Sequence, residues 1–181
     1  MARSSTDARR YAEAAFQVAV QDGSVEAWSD ELARAASASD DPQVAEVLRN
    51  PTLAWQGRQR VLERVLIQPL TRPVLNLIGL LMQRRRIELL PQVAAEFQRL
   101  VDRRDGVTAT TVTSASELSA NERRDITDRL VQLTGGPVRV ATAVDPALIG
   151  GIVVRVGDRQ FDGSVRGRLE RLRSRLVSGA L

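Results

Sequence analysis

The side chains here with most chemical potential are three aspartates near the C-terminal end, Asp145, Asp158 and Asp162, a scatter of serines, and the pair Gly150-Gly151. Three carboxylates could hold a divalent cation, but their spacing follows no calcium-loop pattern, and Asp favours turns because its side chain bonds the backbone two residues on. A serine becomes a nucleophile only with a base in hydrogen-bond reach. The chain contains no His and no Cys, and every one of its 26 basic residues is Arg, so imidazole, amine and thiol chemistry are all missing. Gly150-Gly151 precedes a β-branched run, whereas a phosphate loop would precede a helix, and no Lys-Ser/Thr follows it; a tight turn is the better reading. No catalytic residue, metal site or cofactor is expected.

Two arginine-rich segments could contact phosphates: Arg84-Arg85-Arg86, and the ladder Arg166, Arg168, Arg171, Arg173, Arg175. This leaves a nucleic-acid-binding regulator as the alternative reading. Against it, 22 acidic residues are interspersed, the net charge is only +4, and aromatics make up 3% of the chain, which denies it the stacking platforms such binders use. Arg replacing Lys throughout, beside abundant Ala and Val, points to GC-rich coding as a source of the basic character. A solvated helix end and a solvated helix face with Glu170 in its midst account for both segments.

The 181 residues suffice for two small domains, each with a core of Leu, Val, Ile and Ala. The N-terminus lacks the apolar stretch of a secretory signal, and the longest apolar run, Val74 to Met82, is broken by Asn76 and far shorter than a membrane span. A soluble, cytoplasmic protein is expected. From about Thr6 to Arg104 the periodicity is helical; from Val107 strands and helices alternate, which sets a boundary at 105/106.

Six helices are expected in the first part, forming a compact bundle. The first, ending at Gly23, carries two apolar stripes: Tyr11, Ala14, Ala15, Val18, and Phe16, Ala19, Val20. The second repeats Val25, Trp28, Leu32, Ala35 after a Ser24 N-cap. Asp41-Pro42 opens a third, the fourth covers roughly Trp55 to Ile67, and Thr71 starts the most apolar, broken only by Asn76 and Gly79. Leu90-Pro91 begins the sixth.

The second part should be a small α+β domain, spanning 106–181. Val107 to Thr113 alternates as a strand, and Ser119-Ala-Asn-Glu122 is a capping box for a helix closed by Gly135-Gly136-Pro137. Strands follow at Val138 and Ile152, the latter turning at Gly157-Asp158 into a hairpin. The last helix places Val165, Leu169, Leu172 and Leu176 on one seam with its arginines mostly outside it.

Several segments together resemble one family. They are Arg10-Tyr11-Ala-Glu-Ala-Ala-Phe16, Leu48-Arg-Asn-Pro51, Asn76-Leu-Ile-Gly-Leu-Leu81 followed by Ile87-Glu-Leu-Leu-Pro-Gln-Val93, Val112-Thr-Ser-Ala115, Asp145-Pro-Ala-Leu-Ile-Gly-Gly-Ile-Val-Val-Arg-Val-Gly-Asp158 and Phe161-Asp-Gly-Ser-Val-Arg166. They look like the delta subunit of F-type ATP synthases, bacterial counterpart of the mitochondrial oligomycin-sensitivity-conferring protein, from about Arg9 to Leu176. The signature residues are Asp145, Gly150, Gly151, Gly157, Asp162, Gly163, Ser164 and Arg166.

The resemblance implies a non-catalytic stator subunit of the peripheral stalk, in a complex on the cytoplasmic face of a bacterial plasma membrane, with no membrane insertion of its own and no nucleic-acid partner. It implies that the first domain, 1–105, holds N-terminal helices of the ATP synthase α subunit and the second, 106–181, the C-terminal ends of the b subunits. The α-helix groove maps onto Tyr11, Ala14, Ala15, Val18, Asn76, Gly79 and Leu80. The chain departs from the family pattern at Ala15, often a Leu, and at Arg84-Arg85-Arg86, where an Asn-Gly-Arg-like turn is common.

Overall fold

The computed structural model describes residues 2–179, with side chains described from Thr6 onward; Met1, Ala180 and Leu181 lie outside the described residues. The chain is mainly helical, with a four-stranded sheet near its C-terminal end. It divides into two units, 1–101 and 102–181. The division falls inside the last turn of the sixth helix, before the 105/106 limit read from periodicity. Asp102 explains the shift: its carbonyl accepts the Val107 N–H (2.8 Å) and its carboxylate receives Arg139 Nε (2.9 Å), both later in the chain.

The helical region comprises α1 (Ala2–Gln21), α2 (Val25–Asp40), α3 (Pro42–Arg49), α4 (Trp55–Val65), α5 (Arg72–Gln83) and α6 (Leu90–Arg104). Local chemistry sets most of these limits. The α1 terminus closes with Ser24 N–H on Ala19 O (2.9 Å) and Gly23 at φ +64°, a left-handed conformation that only Gly adopts cheaply. Asp41 Oδ1 accepts the N–H groups of Gln43 and Val44 (2.8 and 3.2 Å), and Pro42 sits where no N–H is needed. Ser24 precedes α2 but makes no side-chain cap bond.

The start of α5 has a tertiary cap. Thr71 offers no side-chain acceptor of its own; the buried Glu31 carboxylate of α2 receives the Thr71 N–H (2.7 Å) and hydroxyl (2.8 Å). An acid at a helix N-terminus is favoured by the helix dipole, and its two hydrogen bonds offset the cost of burying it.

One apolar cluster fills the first unit. The buried stripe of α1 is Ala8, Ala12, Ala15 and Ala19; Tyr11 and Phe16 pack half-buried against the cluster while Ala14, Val18 and Val20 are exposed, so neither stripe expected from sequence is buried whole. Small side chains let neighbouring backbones come close. At the centre Phe97 stacks on Trp28 (centroids 6.0 Å, 12°) and meets Phe16 edge-on (5.7 Å, 70°), the two geometries aromatic quadrupoles prefer.

The second unit contains β1 (Thr108–Ser114), α7 (Ala120–Thr134), β2 (Val138–Val144), β3 (Ile152–Val156), β4 (Arg159–Asp162) and α8 (Val165–Val177). The sheet order is β2-β1-β3-β4. β1 and β2 run parallel, Thr108 opposite Val138, and α7 makes the crossover that parallel pairing requires; β3 and β4 add antiparallel. Ser119 and Glu122 form the expected reciprocal capping box, and Gly135 ends α7 at φ +71°. Alternation along β1 turns Thr110, Val112 and Ser114 inward, and Val112, Val154 and Leu130 form the buried core.

Candidate partner-binding surfaces

Two surfaces carry the residues singled out by sequence. On α1, Tyr11 is half-buried against the apolar cluster, while Ala14 and Val18 face outward together with Val20. On α5, Asn76 and Leu80 are exposed. Two residues expected in the groove are placed otherwise. Ala15 is 4% exposed, a member of the α1 core seam. Gly79 is buried, and a Cβ there would lie 3.3 Å from the Trp55 ring of α4, so its glycine makes room for an indole within the unit. Arg86 pairs with Asp7 (3.0 Å), tying the start of α1 to the turn after α5.

The second surface is α8 and the loops that launch it. Asp145 Oδ1 accepts the Ala147 N–H (3.0 Å), and the Asp145 N–H donates to Ser114 O, which anchors the loop to the end of β1. Gly150 O accepts the Val165 N–H (2.9 Å), and the Gly163 N–H donates to Ile152 O (3.0 Å). At Gly151, φ is +76° and a Cβ would stand 2.5 Å from Gly163 O, so backbone meets backbone where no side chain fits.

Ser164 is 1% exposed and sits at the centre of this junction. Its hydroxyl donates to Asp162 Oδ1 (2.7 Å) and accepts the Gly167 N–H (3.0 Å), capping α8; its own N–H also donates to Asp162 Oδ1 (2.8 Å). The Asp162 carboxylate fills the space a Cβ on Gly167 would need. The Ser164 hydroxyl and N–H, aided by Arg171 and Arg166, hold the Asp162 carboxyl below the usual carboxylate range. Gly157, at φ +55°, turns the β3–β4 hairpin. Arg166 Nε donates to Glu170 (2.9 Å), which raises the guanidinium pKa further. Except for Arg166, which lies on the surface, the signature residues are thus joint-builders.

What they build is an exposed apolar face. Leu169, Leu172 and Leu176 are 53%, 54% and 75% exposed, and Val165 is open too, so the α8 seam is left largely uncovered. Five arginines and Glu170 flank it. Beside it Ile149 projects, 67% exposed, at φ +67°, a conformation that a β-branched residue adopts only under constraint. Amphipathicity revealed the seam but not its exposure, and nothing in the sequence marks Ile149.

The description "ATP synthase delta (OSCP) subunit" belongs to the family model that matches residues 8–176. The chain belongs to this family. An ATP synthase subunit delta of Anaeromyxobacter dehalogenans is 42% identical over 171 residues, 93% of this chain and 96% of the relative. That of Xanthomonas euvesicatoria is 38% identical over 177 residues, 98% and 99% of the two chains. A chain in the solved mitochondrial ATP synthase hexamer of Toxoplasma gondii shares the fold, with TM-score 0.69, 22% identity, and coverage of 94% and 97%. As a member of the delta family it is a non-catalytic stator subunit of the F-type ATP synthase. No helix among the described residues is long and apolar enough to cross a membrane.

Proposed function

We propose that the chain joins the catalytic head to the peripheral stalk by two separate helix-in-groove contacts, on the cytoplasmic face of a bacterial plasma membrane. The six helices of the first unit act as one bundle and receive N-terminal helices of α subunits on Tyr11, Ala14 and Val18 of α1 and Asn76 and Leu80 of α5. The Asp7–Arg86 pair supports this by holding the start of α1 against the end of α5. The second unit receives the C-terminal end of a b subunit on the α8 seam. The observation that carries the reading is that seam: an exposed leucine row on a helix whose origin is locked by backbone contacts.

The mechanism is mechanical. Torque from the rotor drags on the head, and a linker resists it only while both ends stay bound. Once one contact forms, tethering raises the effective concentration for the other, so two moderate interfaces together outlast either alone. The apolar seam supplies affinity through burial, while the flanking arginines steer an acidic partner and fix its register.

The test is Leu169→Asp with Leu172→Asp. Both side chains are half-exposed, so circular dichroism should be unchanged, while burial of two leucines worth about 3 kcal/mol is lost from the interface. Affinity for the soluble part of b should fall on the order of 100-fold with binding of an α N-terminal peptide intact. Ala14→Asp should give the reverse pattern. Unchanged b affinity in the double variant would remove α8 from the stalk interface.

A further inference from the structure

A second kind of site lies within the first unit. A cavity of about 410 Å³ opens between the end of α3, the start of α4 and the turn after α5, lined by Leu48, Arg49, Arg58, Gln83, Arg85 and Glu88, among others. The lining thus contains three arginines and one acidic residue. Arg49, Arg58 and Arg85 form no ion pair among the described residues, whereas Arg86 beside them does. Arg58 spends Nη1 on Leu48 O (3.3 Å) and leaves Nε shielded from solvent with no hydrogen-bond partner among the described residues. That Nε is out of reach of an entering group as well, so Arg58 would meet an acceptor in the cavity through its remaining Nη2.

The backbone supplies the independent observation. α5 ends with Arg86 N–H on Leu81 O (2.8 Å) and Arg85 N–H on Met82 O (3.0 Å), a closing pattern whose left-handed position is normally Gly. Here that position is Arg85, at φ +55°. A left-handed non-glycine residue costs roughly 1–2 kcal/mol. Strain of this kind persists only where the surrounding structure enforces it, and it clusters at ligand clamps and other functional sites. Arg85 is the third arginine of the cavity lining.

We infer that this cavity captures a carboxylate side chain of an acidic peptide segment on a partner chain, a contact distinct from the α1–α5 groove and the α8 seam. Guanidinium forks match carboxylates bidentately. Gln83 and Glu88 add acceptors on the same wall, which suit the N–H groups of a peptide and repel a bare polyanion. The cavity is thus a polar clamp beside apolar grooves and would add direction to the grip of the first unit.

The experiment titrates the ¹⁵N-labelled full chain with acetyl-Glu-Leu-Glu-Leu-amide and with its Gln-Leu-Gln-Leu counterpart. The glutamate peptide should bind at least tenfold tighter, with amide shifts confined to Arg49, Arg58 and 83–88. Arg85→Gly keeps the turn, because Gly accepts the same φ, and Arg49→Gln changes an exposed helix end; together they should weaken binding at least tenfold with the spectrum otherwise intact. Equal affinity for the two peptides overturns the inference. So do shifts elsewhere, indifference to the double variant, or displacement by inorganic phosphate at equal concentration, which would mark a plain anion site. None of these changes touches α1 or α8, so the outcome is separable from the stator contacts.

Discussion

The two units solve opposite problems. Among the described residues, the first packs 23 buried apolar side chains, from Ala8 to Val101, into one cluster; the second gathers three, Val112, Leu130 and Val154, while leaving Leu169, Leu172 and Leu176 largely in solvent. Five of the six aromatic residues belong to the first unit, and Phe161, the sixth, is itself half-exposed. The difference teaches how a part under load can be divided. One unit stabilises itself by side-chain burial and offers shallow outer contacts; the other stabilises itself by backbone ladders and caps and keeps its apolar surface for a partner.

That contrast can be broken most sharply at Phe97. Phe97→Ala removes a fully buried ring stacked on Trp28 and should cost about 3–5 kcal/mol. Both tryptophans, Trp28 and Trp55, lie in the first unit, so tryptophan fluorescence during guanidinium unfolding reads that unit alone. The hydrogen-exchange protection of β1 and β3 should not change. Loss of protection there would mean that the second unit leans on the first for its stability.

The second unit should instead be broken by glycine. Gly151→Ala forces a side chain onto Gly163 O at φ +76° and should cost more than about 2 kcal/mol, read as lost exchange protection in β3 and α8 with fluorescence unchanged. A tolerated alanine would show that the joint yields. Ile149→Gly should act in the other direction, relieving backbone strain at an exposed site and stabilising the second unit by about 1 kcal/mol in a denaturant midpoint. No gain would mean that Ile149 is held without strain.

The smallest effect is the dependence on acid. The Ser164 bonds lower the pKa of Asp162 in the folded state, so their contribution is fully present above the unfolded-state value, about pH 4, and is lost as pH falls through the lower folded value. Glu122, lowered by Ser119, behaves alike. Exchange protection in α8 should therefore weaken below about pH 4 in the native chain, and less so in Asp162→Asn. Parallel loss in both would exclude the Asp162 carboxylate as the source.

Much of the fold was legible from short-range chemistry. Asp41-Pro42, the Ser119–Glu122 box, Gly23, Gly135 and the Gly157-Asp158 turn each act within a few residues, and each stands where the pattern places it. The fourth helix ends at Val65, short of Ile67, because Leu66 is already extended. The candidate surfaces were less legible. Ala14 and Ala15 are neighbours of one residue type, yet one faces out and the other is core, since α1 packs through the stripe Ala8, Ala12, Ala15, Ala19. Gly79 interrupts an apolar helix for the sake of Trp55, 24 positions earlier in the chain.

The sequence by itself determined the order of helices and strands, most of their limits to within a few residues, and the change from a helical to a mixed part, because caps, turns and periodicity are properties of neighbours along the chain; its motifs carried the family resemblance. Only the tertiary structure decided which apolar stripe is covered and which stays open, that Glu31 caps α5, and that Arg49, Arg58 and Arg85 share one cavity. The reason is physical: periodicity shows that a helix has an apolar face, but burial depends on what else the chain brings against it, and among the described residues little covers the leucine row of α8.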